Sequence, residues 1–179
     1  TKHKGLLGRR KFSRRDIFFL ILKKLVVIII TNQQGISKGI MSKNDLLFLH
    51  QKMLNEIEKA GGKINKIYFC PHLETDNCNC RKPKIGMIEA IEKEFSTSAR
   101  NAFFVGDSQR DLQSAVSKGC VPILVKTGKG AQTLKRIHAT NDDKAGATGK
   151  TVDTDSRNEF PNLAVFDDLA AATNYIIKF

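Results

Sequence analysis

The stretch Leu25-Val26-Val27-Ile28-Ile29-Ile30-Thr31-Asn32-Gln33-Gln34-Gly35 carries the organising signal of this chain. Six consecutive apolar residues, five of them Val or Ile, are followed at once by four polar ones and a glycine. A short apolar run rich in β-branched side chains and without alternation predicts a strand buried on both faces, as in the middle of a parallel sheet. In open sheets of that kind, ligands sit beyond the carboxyl ends of the strands. The Thr31–Gln34 turn is therefore a place to look for chemistry.

Working outward, the pattern repeats. Ser42 or Asn44 is expected to cap a helix reaching about Lys59, which Gly61-Gly62 stops. Residues 64–69, 102–105, 121–125 and 163–166 read as strands, and residues 86–95 and 111–118 as helices. Thr127-Gly128-Lys129-Gly130 reads as a loop and residues 140–160 as a long polar surface loop. Asp167 is expected to cap a last helix ending near Ile177. Strands alternating with helices predict an α/β fold, a doubly wound, Rossmann-like parallel sheet, with residues 25–179 as one domain. Residues 1–24 form a basic, atypical opening segment without an initiator Met, which reads as fragmentary or processed. A helix is expected over residues 13–24, with Ser13 as its cap and Asp16 in its first turn.

The formal charge of +12 invites a nucleic-acid reading. Its distribution argues against one. Residues 1–30 hold nine Lys/Arg and one acid, and the other 149 residues hold 21 basic and 17 acidic side chains. A net of +4 on that remainder suits a phosphorylated small molecule better than a duplex. The apolar run from Ile17 to Ile30 is interrupted by Lys23-Lys24 and is too short to span a bilayer, so no membrane partner is expected. Four cysteines, three of them in one loop, do not make a disulfide framework, which favours a reducing, cytoplasmic setting. The chain is read as a monomer.

That loop is Cys70-Pro71-His72-Leu73-Glu74-Thr75-Asp76-Asn77-Cys78-Asn79-Cys80-Arg81-Lys82-Pro83. Cys70, His72, Cys78 and Cys80 form two short chelating arms, C-x-H and C-x-C, joined by a polar segment. Four such donors match the closed tetrahedral coordination of a structural Zn²⁺ site, which leaves no position for water or substrate. The loop has almost no apolar surface to bury, and a structural zinc supplies about 10–16 kcal/mol of apparent binding energy in small peptides. The metal is therefore expected to act as scaffolding that orders Arg81 and Lys82. Cys120, ahead of an apolar run, reads as a small buried hydrophobe.

The other strand ends also carry polar chemistry. Asp107 follows a strand and Gly106, and Asp111 lies four residues on. Carboxylates on a rigid strand end suit Mg²⁺ together with substrate phosphate oxygens; the plain alternative is Asp107 as a helix N-cap. Arg81 and Lys82 can hold a phosphoryl group, one through paired hydrogen bonds and one as a point charge. The Thr31 hydroxyl and the turn after it offer further contacts to phosphate oxygens.

Taken in order, Thr31-Asn32-Gln33-Gln34-Gly35-Ile36, the Cys/His loop joined to Arg81-Lys82-Pro83, and Gly106-Asp107-Ser108-Gln109-Arg110-Asp111 resemble the haloacid dehalogenase phosphatase superfamily. Within it, the zinc loop is similar to that of phosphatases acting on sugar bisphosphates and on histidinol phosphate. The resemblance covers about residues 25–179. It implies Thr31 as a hydroxyl contacting the phosphoryl group, Asn32, Gln33, Gln34 and Ser108 at the substrate, and Arg81 and Lys82 stabilising the transferring phosphoryl. It also implies Asp107 as a Mg²⁺ ligand, with Asp111 in support, and a phosphorylated sugar as the substrate.

Phosphatases of this superfamily open with a strand ending in Asp-x-Asp-Gly-Thr. Its first Asp attacks phosphorus and its second acts as acid and base. The resemblance implies that motif ahead of Leu25, yet residues 1–15 contain no acidic side chain. The chain as given is accordingly expected to show no turnover. The alternatives are an inactive phosphate-binding relative and a basic, zinc-knuckle-like nucleic-acid binder.

Overall fold

The structure, a computed structural model, describes residues 25–145, 159–160 and 163–179. The helix expected over residues 13–24 and most of the polar run beyond Ala145 lie outside the described residues. By contacts the described residues divide into two compact units: residues 25–99 with Thr173–Phe179, and those described between Arg100 and Ala172.

The first unit contains β1 (Ile28–Asn32), α1 (Lys43–Lys59), β2 (Lys66–Cys70) and α2 (Gly86–Phe95). β1 and β2 pair in parallel, from Ile28 opposite Lys66 to Asn32 opposite Cys70. Parallel neighbours need a crossover, and α1 supplies it. Ser42, not Asn44, caps α1, in a reciprocal box with Asp45. β1 starts three residues later than the apolar run and keeps Thr31 and Asn32 within the strand. Leu25 and Val26 are exposed and the strand residues only half-buried, so the expectation of burial on both faces fails for this pair of strands. α2 buries Met87 and Ile88. At its start, a Cβ on Gly86 would lie 2.6 Å from the Asn79 carbonyl oxygen, so only glycine lets the Cys/His loop close against this helix.

The second unit contains β3 (Phe103–Gly106), α3 (Gln109–Ser117), β4 (Val121–Val125), α4 (Gly130–Ala145) and β5 (Ala164–Phe166), and α5 (Leu169–Ile176) begins in it. The sheet order is β3-β4-β5, all parallel. Leu112, Leu124, Ile137 and Phe160 form its core, with Leu134, Leu163 and Val165 packed against them. α4 takes in the first residues of the expected polar loop, which is helical to Ala145. The last helix is capped one residue later than expected: Asp168 accepts from the Ala171 N–H at 3.0 Å, while Asp167 pairs with Lys126. Cys120 is buried, as expected. Parallel strands alternating with helices make this an α/β protein, and among the described residues hydrogen bonding gives a two-stranded and a three-stranded sheet.

Candidate functional site

In the first unit the strand ends gather the Cys/His loop. Cys70 Sγ lies 3.6 Å from both His72 Nδ1 and Cys78 Sγ. Cys80 Sγ lies 3.2 Å from His72 Nδ1 and 3.5 Å from Cys78 Sγ. Bond lengths to a tetrahedral zinc put such donor–donor edges at about 3.4–3.8 Å. All four donor atoms fall within 4.8 Å of one another, so the cluster fits a zinc-binding loop. The three cysteines are free thiols, and their separations are far beyond an S–S bond. Burial pushes the Cys70 and Cys80 thiols up, Cys80 to about 12. Burial also opposes ionisation of Cys78, but hydrogen bonds from Cys80, Cys70 and the Arg81 and Cys80 backbone outweigh it and leave this thiol at about 7. Neighbouring thiolates repel one another, and a divalent cation among them removes that repulsion.

The loop runs into two cations that the structure holds firmly. Arg81 is buried, donating from Nη1 to the His72 carbonyl and from Nη2 to Gln34 Oε1, both at 3.1 Å. One residue thus offers its ring to the metal cluster and its carbonyl to the arginine. Arg81 Nε is buried with no hydrogen-bond partner among the described residues. Lys82 is fixed at its backbone, where its N–H donates to Asn32 Oδ1 and its carbonyl accepts from Asn32 Nδ2, both at 3.1 Å. Its ammonium donates to the Ile30 carbonyl at 3.0 Å. Thr31 Oγ1 accepts from Gln33 Nε2 at 3.1 Å. Six of the expected residues, Thr31, Asn32, Gln33, Gln34, Arg81 and Lys82, are therefore linked within this unit. The Gln34 side chain meets the Arg81 guanidinium, and the Asn32 side chain meets the Lys82 backbone.

In the second unit Asp107 directly follows β3. The N-cap of α3 is Ser108, so the capping alternative for Asp107 does not hold. Asp111 Oδ2 accepts from Ser108 Oγ at 2.7 Å and from Ser108 N at 3.1 Å. This carboxylate closes a capping box, and it shares no helix face with Asp107, which precedes the helix. Gly106 makes room for it: a Cβ there would lie 2.4 Å from Asp111 Cβ. Asp107 Oδ2 accepts from the Lys129 N–H at 3.0 Å, and its carbonyl accepts from Thr133 Oγ1 at 2.9 Å. Gly128 has a φ of +62°, and a Cβ on it would meet Asp107 Oδ2 at 2.1 Å. Gly128 and Lys129, expected only as part of a loop, form a collar around Asp107 with Thr133 of α4. The glycine pair flanking Lys129 was the available signal. Asp107 keeps Oδ1 outside any hydrogen bond among the described residues, and a hard carboxylate oxygen at a strand end fits Mg²⁺.

Parallel α/β units with a carboxylate at one strand end and an Arg-Lys pair behind a soft-donor loop define a class of hydrolase. The family described as Haloacid dehalogenase-like hydrolase matches residues 25–125, and a related HAD-hydrolase-like family matches residues 79–172. The chain belongs to the haloacid dehalogenase-like hydrolases.

Among particular relatives, it is 47% identical over 124 residues to the D-glycero-beta-D-manno-heptose-1,7-bisphosphate 7-phosphatase of Neisseria meningitidis strain Z2491. That match covers 69% of this chain and 66% of the relative, just under two thirds of its length. The enzyme of the same name from Pseudomonas putida is 35% identical, over 84% of this chain and 74% of its own. The crystal structure of D,D-heptose 1,7-bisphosphate phosphatase from B. bronchiseptica, complexed with magnesium and phosphate, superposes with a TM-score of 0.76. It is 31% identical and covers 93% of this chain and 82% of that one. Among the described residues no helix is long and apolar enough to cross a membrane.

Proposed function

We propose that this chain is a Mg²⁺-dependent phosphoric monoester hydrolase of the heptose bisphosphate type, directed at the C7 phosphate of D-glycero-D-manno-heptose 1,7-bisphosphate. Arg81 carries the reading. A guanidinium held on two sides by protein acceptors, with a buried N–H left over, calls for one more acceptor. A phosphate oxygen satisfies it with a charge-assisted hydrogen bond. Inositol phosphates or nucleotides would offer the same oxygen, but the relatives named for heptose bisphosphate point to a phosphorylated sugar.

The roles follow from the chemistry of each residue. Arg81 and Lys82 hold the phosphoryl group and stabilise the charge on its oxygens. The Thr31 hydroxyl contacts it, and Gln33 orients that hydroxyl. Ser108 is assigned to the substrate, and Asp107 would hold Mg²⁺, oriented by the Lys129 N–H. Bound there, Mg²⁺ supplies Lewis-acid neutralisation of phosphoryl charge. Cys70, His72, Cys78 and Cys80 would hold Zn²⁺ as a closed structural site. The 179 residues contain no Asp-x-Asp-Gly-Thr segment, so the attacking carboxylate is proposed to be missing from them.

A second reading is a phosphatase of histidinol phosphate. The Histidine biosynthesis bifunctional protein of Blochmanniella floridana is 38% identical over 54% of this chain and 27% of its own. Phosphate release from heptose bisphosphate and from histidinol phosphate, with and without Mg²⁺, separates the readings. The assay is run on the chain as given and on one carrying an Asp-x-Asp-Gly-Thr opening ahead of Leu25. The given chain is expected to be silent, and the second to release phosphate from the heptose bisphosphate. Mg²⁺-dependent release by the given chain would refute the missing nucleophile, and a preference for histidinol phosphate would favour the second reading.

A further inference from the structure

Asn32 ends β1 opposite Cys70, inside the polar turn that the family resemblance assigns to the substrate. Its carboxamide is directed elsewhere. Oδ1 takes the Lys82 N–H and Nδ2 donates to the Lys82 carbonyl, each at 3.1 Å. This two-point pairing joins residues 50 apart in sequence and copies what a neighbouring strand would do for Lys82. The Lys82 ammonium meanwhile reaches back to the Ile30 carbonyl of β1 at 3.0 Å. Lys82 is thus tied to one strand end at both its backbone and its tip. A lysine side chain is long and flexible and acts on phosphate as a point charge, so its usefulness depends on where its backbone is fixed.

We propose that Asn32 is a positioning residue: through its side-chain amide it fixes the backbone of Lys82 and so aims the ammonium, rather than contacting substrate itself. The inference deepens the phosphatase reading and rests on it for the purpose of Lys82, but not for the link between the two residues. Its geometry is specific to Asn, because a donor and an acceptor must face the N–H and carbonyl of one residue together. An Asp of the same shape keeps the acceptor and sets a second oxygen against the Lys82 carbonyl.

The test reads the reactivity of Lys82. The zinc-loaded chain, Asn32→Ala and Asn32→Asp are treated with an amine-acylating reagent, and labelling at each lysine is followed by peptide mass spectrometry. Lys84, bonded to Asn77 within the loop, is the internal reference. Both variants are expected to raise Lys82 labelling by about five- to tenfold, the equilibrium worth of one or two modest hydrogen bonds, with Lys84 unchanged. A residue that only fills space would leave the isosteric Asp variant like wild type. Unchanged Lys82 labelling in both variants, or a parallel rise at every lysine, overturns the proposal. A second arm adds inorganic phosphate to the wild-type chain, where protection of Lys82 is expected. Absent protection with the Asn32 effect intact counts against the phosphatase reading and still supports the positioning role.

Discussion

The two units hold polar strand ends in place by different means. In the first, the segment after β2 has little apolar surface of its own and is organised around four metal donors, with Arg81 hung from the His72 carbonyl. In the second, the turn after β3 rests beside a core of Leu112, Leu124, Ile137 and Phe160, and Asp107 is fixed by backbone and hydroxyl donors. The contrast teaches where rigidity comes from in a small α/β unit. Where side chains can be buried, the hydrophobic effect fixes the backbone. Where they cannot, a metal tie replaces it.

The largest effect should follow from cutting that tie. Cys78→Ser, or a strong chelator on the native chain, is expected to strip the bound zinc, which structural sites hold with about 10–16 kcal/mol. Amide hydrogen exchange across residues 71–85 should then approach that of an unfolded peptide, while β3 and β4 keep their protection. A variant that retained one zinc per chain and the same exchange pattern would remove the scaffold argument.

The converse substitution tests the other side. Leu112 is fully buried in the second unit's core. Leu112→Ala should cost about 2–5 kcal/mol in denaturant unfolding, through lost transfer energy and the cavity left behind. Zinc content should not change, because none of the four donors of the cluster lies in that unit. Loss of zinc on this substitution would mean that the two means of support are not separate.

The same contrast explains what the sequence disclosed. Cys70, His72, Cys78 and Cys80 were legible because soft donors at short spacing are rare and have few other uses. Strand and helix order was legible from apolar runs and caps such as Ser42. The collar around Asp107 was not. Gly128 works by lacking a side chain and Lys129 through its backbone N–H, and neither role leaves a chemical mark in a sequence. Thr31 and Asn32 were read as ending the strand, yet they belong to it, because ladder pairing with Phe69 and Cys70 outweighs their turn preference. Asn32 and Gln34 were expected at the substrate. That each side chain also reaches a residue about fifty positions away leaves no mark in a local pattern.

The smallest expected effect concerns an exposed contact between β2 and α2, away from both the metal donors and the buried core. Tyr68 on β2 donates its hydroxyl hydrogen to Glu94 on α2, and Lys66 pairs with the same carboxylate at 2.8 Å. Burial, and then the bond to Glu94, push the Tyr68 phenol from its usual 10.0 up to about 12. The hydrogen bonds from Lys66 and Tyr68 hold Glu94 below its usual range. For an acid with a raised folded pKa, the neutral form is the one that folding favours. The Tyr68 contribution is therefore complete below pH 10 and is lost as pH rises towards 12. Glu94 acts at the other end: its contribution is present above the ordinary carboxylate range and fades as pH falls through it. Tyr68→Phe should lower the melting temperature slightly at neutral pH, where that contribution is complete, and flatten its decline between pH 10 and 12 relative to wild type. The difference between the two curves isolates the contribution of this phenol. Parallel curves across that window would show that the Tyr68–Glu94 contact does not persist in solution.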